Sequence, residues 1–275
     1  MTAADIPAGL RLCRASGWNQ LENDWRVFLE WNPSMCRAVE RTGSLVGTVA
    51  ALRFGDCFSW LSMVLVHPSE RGGGIGTRLL DHALTMLSGQ CVRLDATPLG
   101  QPIYARNGFH EEYPLSRMTA SVECAAVPVV PRNIRPMHEQ DLAAVFAYDR
   151  AAFGADRSPL LQTMFHLEST YAWIAGGAED IQGYCFGRPG FLYQQIGPVV
   201  AASQQIASNL ISACLTSQGG RKFCMDVPHF DPEWLASLEQ MGFSTVRSFV
   251  RMCRGENKCP GMPAHMYAIA GPEFG

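Results

Sequence analysis

The stretch VHPSERGGGIGTRLL, residues 66–80, places four glycines within positions 72–76. An apolar run, CFSWLSMVLV at 57–66, precedes it, and Ile75, Leu79, Leu80, Ala83, Met86 and Leu87 form an apolar face after it. The first run is rich in strand-forming residues; the second repeats at helical spacing. Glycine weakens both kinds of element, so this density serves the turn between them. A strand, a glycine-rich turn and a helix together make an anion site. The first helical amides lack internal partners, the helix dipole favours negative charge, and missing Cβ atoms let a phosphate approach.

Two common phosphate loops fail on spacing. A P-loop needs a lysine before its Ser/Thr, but Thr77 follows Gly76. A dinucleotide fingerprint counted from Gly72 ends on Thr77, and counted from Gly74 it ends on Leu79, where glycine is required. Arg71-x-x-Gly74-x-Gly76 instead resembles the R/Q-x-x-G-x-G/A turn of the GNAT superfamily of N-acetyltransferases. MVLVHPSERGGGIGTRLLDHAL is similar to that family's central strand, loop and following helix. LDATPLGQPIYARNGF is similar to its next strand and helix, with a tyrosine four residues before GF.

Composition agrees with a globular protein. The chain has 275 residues, 47% hydrophobic and 17% charged, a size that favours two domains. A formal charge of −3 gives no electrostatic case for nucleic acid or an anionic membrane as partner. No apolar run approaches the roughly 20 residues of a membrane helix, and the first residues lack a signal-peptide pattern. The expectation is a cytoplasmic protein, monomer or homodimer. Ten cysteines include no CxxC pair and sit mostly in apolar runs, so they read as buried free thiols, with no metal site. Cys253 and Cys259 alone lie close enough in sequence to suggest a bridge, which is not expected.

The chain repeats itself. CAAVPVVPRN, residues 124–133, reads as an extended linker. Beyond it, Ile206, Leu210, Ile211 and Cys214 repeat the spacing of Ile75, Leu79, Leu80 and Ala83. The same offset carries Asp95 onto Asp226; three residues more carry GF at 108–109 onto GF at 242–243. Asp231-Pro232 reads as a cap with proline at the first helical position. NIRPMHEQDL, residues 133–142, resembles the GNAT opening strand and helix. The fold class expected is mixed α/β, as two tandem GNAT-like domains at 1–126 and 127–275. Each is a mostly antiparallel twisted sheet with a central splayed parallel pair flanked by helices.

The resemblance implies acetyl-CoA as acyl donor, without a metal. It assigns the coenzyme pyrophosphate to the amides of Gly72, Gly73, Gly74, Ile75, Gly76 and Thr77, in a turn led by Arg71. The pantetheine arm falls to Val64, Leu65 and Val66, and the donor of a proton to the leaving thiolate to Tyr104. Relatives carry an acid on the central strand where this chain has Trp60 or Ser62. Water relayed through Ser62 is one substitute; Glu22, Asp24 and Trp25, on a helix bordering the acceptor space, are candidates for binding a cationic amine. Arg71, Gly74 and Gly76 fall on Ala202, Gln205 and Ala207 in the second half, and Tyr104 falls on Leu238, so the second domain is expected to be non-catalytic. The tail CPGMPAHMYAIAGPEFG, residues 259–275, reads as an extended segment. Three functions stay open: an N-acetyltransferase acting on a small amine, one acting on a protein or peptide amine, and a silent acyl-CoA-binding sensor.

Overall fold

The computed structural model describes residues 1–121, 131, 133–177, 180–218 and 220–275. The first half runs α1 (Ile6–Ala15), α2 (Glu22–Trp31), β1 (Arg37–Arg41), β2 (Ser44–Phe54), β3 (Phe58–Val66), α3 (Ile75–Met86), β4 (Val92–Ala96), α4 (Gln101–Arg106) and β5 (His110–Ser121). The second runs β6 (Ile134–Pro136), α5 (Leu142–Phe153), α6 (Ser158–Leu167), β7 (Trp173–Gly177), β8 (Asp180–Arg188) and β9 (Gln194–Ala201). It continues through α7 (Gln204–Ser217), β10 (Lys222–Pro228), α8 (Pro232–Gln240), β11 (Ser244–Arg254) and β12 (Met266–Ala268). The expected linker and the 126/127 boundary fall largely on residues 122–130 and 132, outside the described residues.

Local chemistry explains most elements. The buried face of α3 is Ile75, Leu79, Leu80, Ala83 and Leu84, close to the stripe expected from spacing. Asp231 caps α8, its carboxylate accepting from the Glu233 amide at 2.9 Å ahead of Pro232. Gly108 and Gly242 both take the left-handed conformation that ends a helix, at φ +83° and +91°.

All the strands form one sheet in the order β1-β2-β3-β4-β11-β5-β10-β9-β8-β7-β6, with β12 added on β9. Among the described residues pairing is mostly antiparallel, with two parallel pairs. Each parallel pair is short. β3 meets β4 only at Ser59↔Val92 and Trp60↔Arg93, and β9 meets β10 only at Gln194↔Phe223 and Gln195↔Cys224. Beyond those residues the strands splay. A register shift accompanies each splay, at Met63 in β3 and around Gly197 in β9. The centre of the sheet is an exchange: β11 lies between β4 and β5, and β5 lies between β11 and β10. Each half therefore completes its sheet with the other half's last long strand.

Helices α1, α2, α5 and α6 share one apolar cluster on one face, reaching across both halves. On the opposite face, α3 packs on one cluster, while α7 and α8 pack on another. Among the described residues no helix is long and apolar enough to cross a membrane.

Two sequence expectations are corrected. Cys57, in the β2–β3 turn, is joined to Cys259, 202 residues away, with Cα atoms 5.5 Å apart. That spacing is ordinary for a disulfide, but no local pattern reveals a partner so distant. Among the described residues, seven other cysteines are free and buried, as the apolar runs around them suggested. The tail is also more ordered than an extended segment. It forms a short 3-10 turn at Pro263–His265, then β12, then a turn from Gly271 to Gly275.

Candidate active site

The glycine turn sits where β3 ends and α3 begins, and it is exposed from His67 to Ser69 and from Arg71 to Gly74. Gly72 and Gly74 have φ of +82° and +74°, which an L side chain adopts only under strain. A Cβ built at either position meets nothing within 4 Å, so the glycines answer to backbone conformation and to open space, not to crowding. Among the described residues, no acceptor engages the amides of Gly72 through Thr77. Six consecutive donors at a helix N-terminus suit a diphosphate group. Arg71 folds back, its Nε donating to the Val66 carbonyl at 3.2 Å, and braces the loop against the strand.

The strand beside this loop has an open edge. The His67 amide donates to the Val46 carbonyl at 2.8 Å, so Leu65, two residues earlier and paired with Thr48, also turns its backbone toward β2. Backbone groups alternate along a strand, which turns those of Val64 and Val66 to the other side. Among the described residues no strand pairs with that side of β3 beyond Trp60. Tyr104, Val64 and Val66 pack against the same cluster beneath α3. The Tyr104 ring is half-buried and lies edge-on to Phe109 at 5.7 Å. A tyrosine hydroxyl carries its proton at neutral pH, and burial pushes this one further up, to about 12.

The acceptor candidates separate. Glu22 is exposed and pairs with Arg26 one turn along α2, at 3.0 Å and 2.5 Å. Asp24 is buried and structural: one oxygen accepts from the Leu21 amide at 2.6 Å, the other from Arg188 of β8 at 2.8 Å. Trp25 is fully buried, its ring against Gly9, and presents no surface to a ligand. Ser62 is buried on β3 with its Oγ unpartnered among the described residues.

The corresponding slot of the second half is filled. Strand β12 pairs with β9 through Met266↔Val200 and Ala268↔Val199. The Ile269 amide then donates to the Asp226 carbonyl of β10 at 2.9 Å, so the tail bridges the splay. A side chain at Gly197 would collide with the Ile269 carbonyl oxygen, so glycine there admits the tail. Helix α7 is closed as well, with Ser203 at its N-cap and its Oγ accepting from the Ile206 amide at 3.4 Å.

Sequence reading missed a charged layer beneath the exchanged strands. Arg251 of β11 donates to both oxygens of Asp95 on β4, at 2.8 and 2.9 Å, and to the Tyr113 hydroxyl at 2.7 Å. Arg117 of β5 donates to both oxygens of Asp226 on β10, each at 2.8 Å. Arg251 also lies over the Trp60 ring, 4.5 Å from its centroid. The signal was present: the GF offset that joins the two halves carries Arg117 onto Arg251, in LSRM and FVRM. Among the described residues no group of three or more side chains could hold a metal ion.

A splayed central pair built twice in one sheet, with a glycine turn at a helix N-terminus beside the first of them, defines an acyltransferase of the GNAT class. Models of the acetyltransferase (GNAT) domain match residues 32–111 and 145–268. The chain belongs to the GNAT acetyltransferase family, with two such domains in tandem. Holothin acyltransferase of Pseudoalteromonas sp. is 23% identical over 270 residues, covering 93% of this chain and 91% of that protein. An uncharacterized N-acetyltransferase of Bacillus subtilis is 25% identical over 269 residues, covering 97% and 94%. Among solved structures, a candidate acetyltransferase of Pyrococcus horikoshii aligns with TM-score 0.82 and 21% identity, over 100% of this chain and 94% of that one. A tandem GNAT protein of the clavulanic acid pathway aligns with TM-score 0.63 and 16% identity, over 92% and 96%. At those identities the structural likeness speaks for the fold.

Proposed function

We propose that the protein transfers an acetyl group from acetyl-CoA to a primary amine of a small molecule, using the first half alone. The observation that carries this reading is the run of six unengaged amides, Gly72–Thr77, beside the open edge of β3. Those amides would hold the coenzyme diphosphate, and the backbone of Val64 and Val66 would pair with the pantetheine arm as an added strand does. The bound coenzyme supplies an activated thioester. The Tyr104 hydroxyl, protonated at neutral pH, would donate to the sulfur as charge develops there. The first half extends to about residue 126 in this reading, and the second acts as a wall and a brace.

A small acceptor is favoured over a peptide because the face bearing Trp60 is covered. Trp60 is fully buried, and its Nε1 donates to the Pro272 carbonyl at 3.0 Å. The acceptor side therefore offers a confined space between helices instead of an open groove. Release of free thiol from acetyl-CoA, followed over a panel of small amines and peptides, tests the assignment. Turnover confined to small amines is expected. Turnover of peptides alone would replace the acceptor class, and coenzyme binding without turnover on any acceptor would favour a sensor.

A further inference from the structure

Two pairs of cysteines join the same two segments of the chain; one pair is bonded and the other is not. Cys57 and Cys259 form the disulfide between the β2–β3 turn and the tail. Cys91, just before β4, and Cys253, near the end of β11, keep free thiols with their sulfurs 3.3 Å apart. Both pairs run from the 57–91 stretch of the first half to the 253–259 stretch of the second. The Ser59 amide donates to the Cys91 carbonyl at 2.8 Å, which sets both pairs at one end of β3 and β4. Cys253 is paired with Arg93 and Arg254 with Val92, so Cys91 and Cys253 share one face of adjacent strands. A disulfide bond is about 2.0 Å long, so these two sulfurs have only about 1.3 Å to close. The β4–β11 ladder stops there, and Gly255 turns the chain away at φ +89°, which leaves the movement to strand ends.

Another thiol contact, between Cys185 of β8 and Cys214 of α7, shows what distinguishes this one. Both of those side chains are sealed beneath α7, at 0% exposure. Cys91 is 9% exposed, and it lies between two surface glycines: Gly89, two residues before it, and Gly255, packed against it. A hydrogen bond from Cys253 lowers the Cys91 thiol; burial and Glu112 oppose that shift, and Arg93 aids it. Burial pushes the Cys185 thiol far up. The thiolate is the form that reacts with oxidants, and oxidation favours an accessible thiolate beside a second thiol. The pair beside β4 meets those conditions, and the pair beneath α7 does not.

We propose that Cys91 and Cys253 are a peroxide-reactive pair that closes into a second disulfide and clamps the exchanged strand β11 to β4. The Cys91 thiolate attacks one oxygen of hydrogen peroxide. An S–O bond forms, the O–O bond breaks, and the departing hydroxide takes up the Cys91 proton as water. The Cys253 sulfur then attacks the Cys91 sulfenic sulfur. The S–S bond forms as the S–O bond breaks, and the second hydroxide leaves with the Cys253 proton as water. Two thiols are oxidised to one disulfide, and one peroxide is reduced to two waters. Together with Cys57–Cys259, the new bond closes a covalent ring through residues 57–91 and 253–259. The glycine turn lies past the opposite end of β3, so the clamp acts on the union of the two halves.

The test takes the full wild-type chain, purified under argon, before and after about a tenfold excess of hydrogen peroxide. Each sample is unfolded in N-ethylmaleimide, digested without reduction and mapped by mass spectrometry. A peptide linking Cys91 to Cys253 is expected after peroxide, with both thiols lost to alkylation and Cys185 and Cys214 still alkylated. Cys91 and Cys253 both alkylated after peroxide, or Cys91 linked to any other cysteine, overturns the proposal without recourse to a variant. In Cys253→Ser, which removes the second thiol, dimedone is expected to label Cys91 as its sulfenic acid; no label there contradicts the order of attack. The thermal midpoint of the oxidised wild type is expected to exceed that of the untreated chain, a gain absent from Cys91→Ser. A link that forms with no rise in the midpoint overturns the clamp.

Discussion

Asp95 and Arg251 stand 156 residues apart in sequence and face each other as a two-pronged ion pair, at 2.8 and 2.9 Å. Both side chains are essentially removed from solvent, at 0% and 2% exposure. The pair crosses from a strand of the first half to a strand of the second, and Asp226–Arg117 crosses in the opposite direction. Burying such charges costs much of what their attraction returns, but an unmatched partner is far worse. Arg251→Met should therefore destabilise the chain by about 3–5 kcal/mol. Adding Asp95→Leu should recover most of the loss. Denaturant unfolding measures both; a single-variant loss under about 1 kcal/mol, the range of a surface pair, would remove the exchange pair from the account.

A side chain at Gly73 tests the turn without straining it. Gly74 is left-handed, so Gly74→Glu combines a backbone cost with the intended charge. Gly73 is not among the positive-φ glycines, and its nearest neighbour for a Cβ is the Glu70 carbonyl oxygen at 3.6 Å. Gly73→Glu should unfold as the wild type does and bind acetyl-CoA at least 100-fold more weakly by calorimetry. Affinity within about threefold of wild type would refute the diphosphate assignment.

Tyr104→Phe keeps the ring against Phe109 and removes only the hydroxyl. A proton donor of this kind contributes on the order of 100-fold or more to rate. Stopped-flow or steady-state assays should show kcat reduced by that order, with coenzyme affinity changed less than about twofold. Full kcat would take Tyr104 out of the reaction.

Acid stability should depend on Asp141. Its two oxygens accept from Arg135 at 2.7 and 2.8 Å, and one also accepts from the His138 amide at 2.8 Å. The hydrogen bond from Arg135 holds the carboxyl below its ordinary value in the fold. The stabilisation is therefore present above the unfolded value near pH 4 and fades as the pH falls through the lower folded one. Unfolding free energies should differ for Asp141→Asn and wild type above about pH 4 and converge as the pH falls below it. Curves that stay parallel across that window would contradict the assignment.

What could be read from sequence was local. The run from Phe58 to Met86 carries its strand, its turn and its helix in consecutive residues, each with its own periodicity, so the element boundaries were legible. The same holds for Asp231-Pro232 at the start of α8. The exchange of β5 and β11 was not legible, because strand order is decided by pairing between residues more than 100 positions apart. Asp95 and Asp226 aligned in the repeat, yet their partners lie in the opposite half. Asp24 and Trp25 were read as polar and aromatic residues on an acceptor wall; Arg188 and the α1 packing that bury them come from elsewhere in the chain. The Gly271–Gly275 turn sat in a tail whose prolines and glycines gave no period to follow, and only the contacts of Pro272 and Gly275 with Trp60 show where it docks.

The central claim is that one half of a doubled fold holds the coenzyme because β12 fills the other half's slot. Calorimetric titration of the full chain with acetyl-CoA measures this directly. The account predicts one site per chain, lost in Gly73→Glu. Two sites, or a site that survives Gly73→Glu, would contradict it.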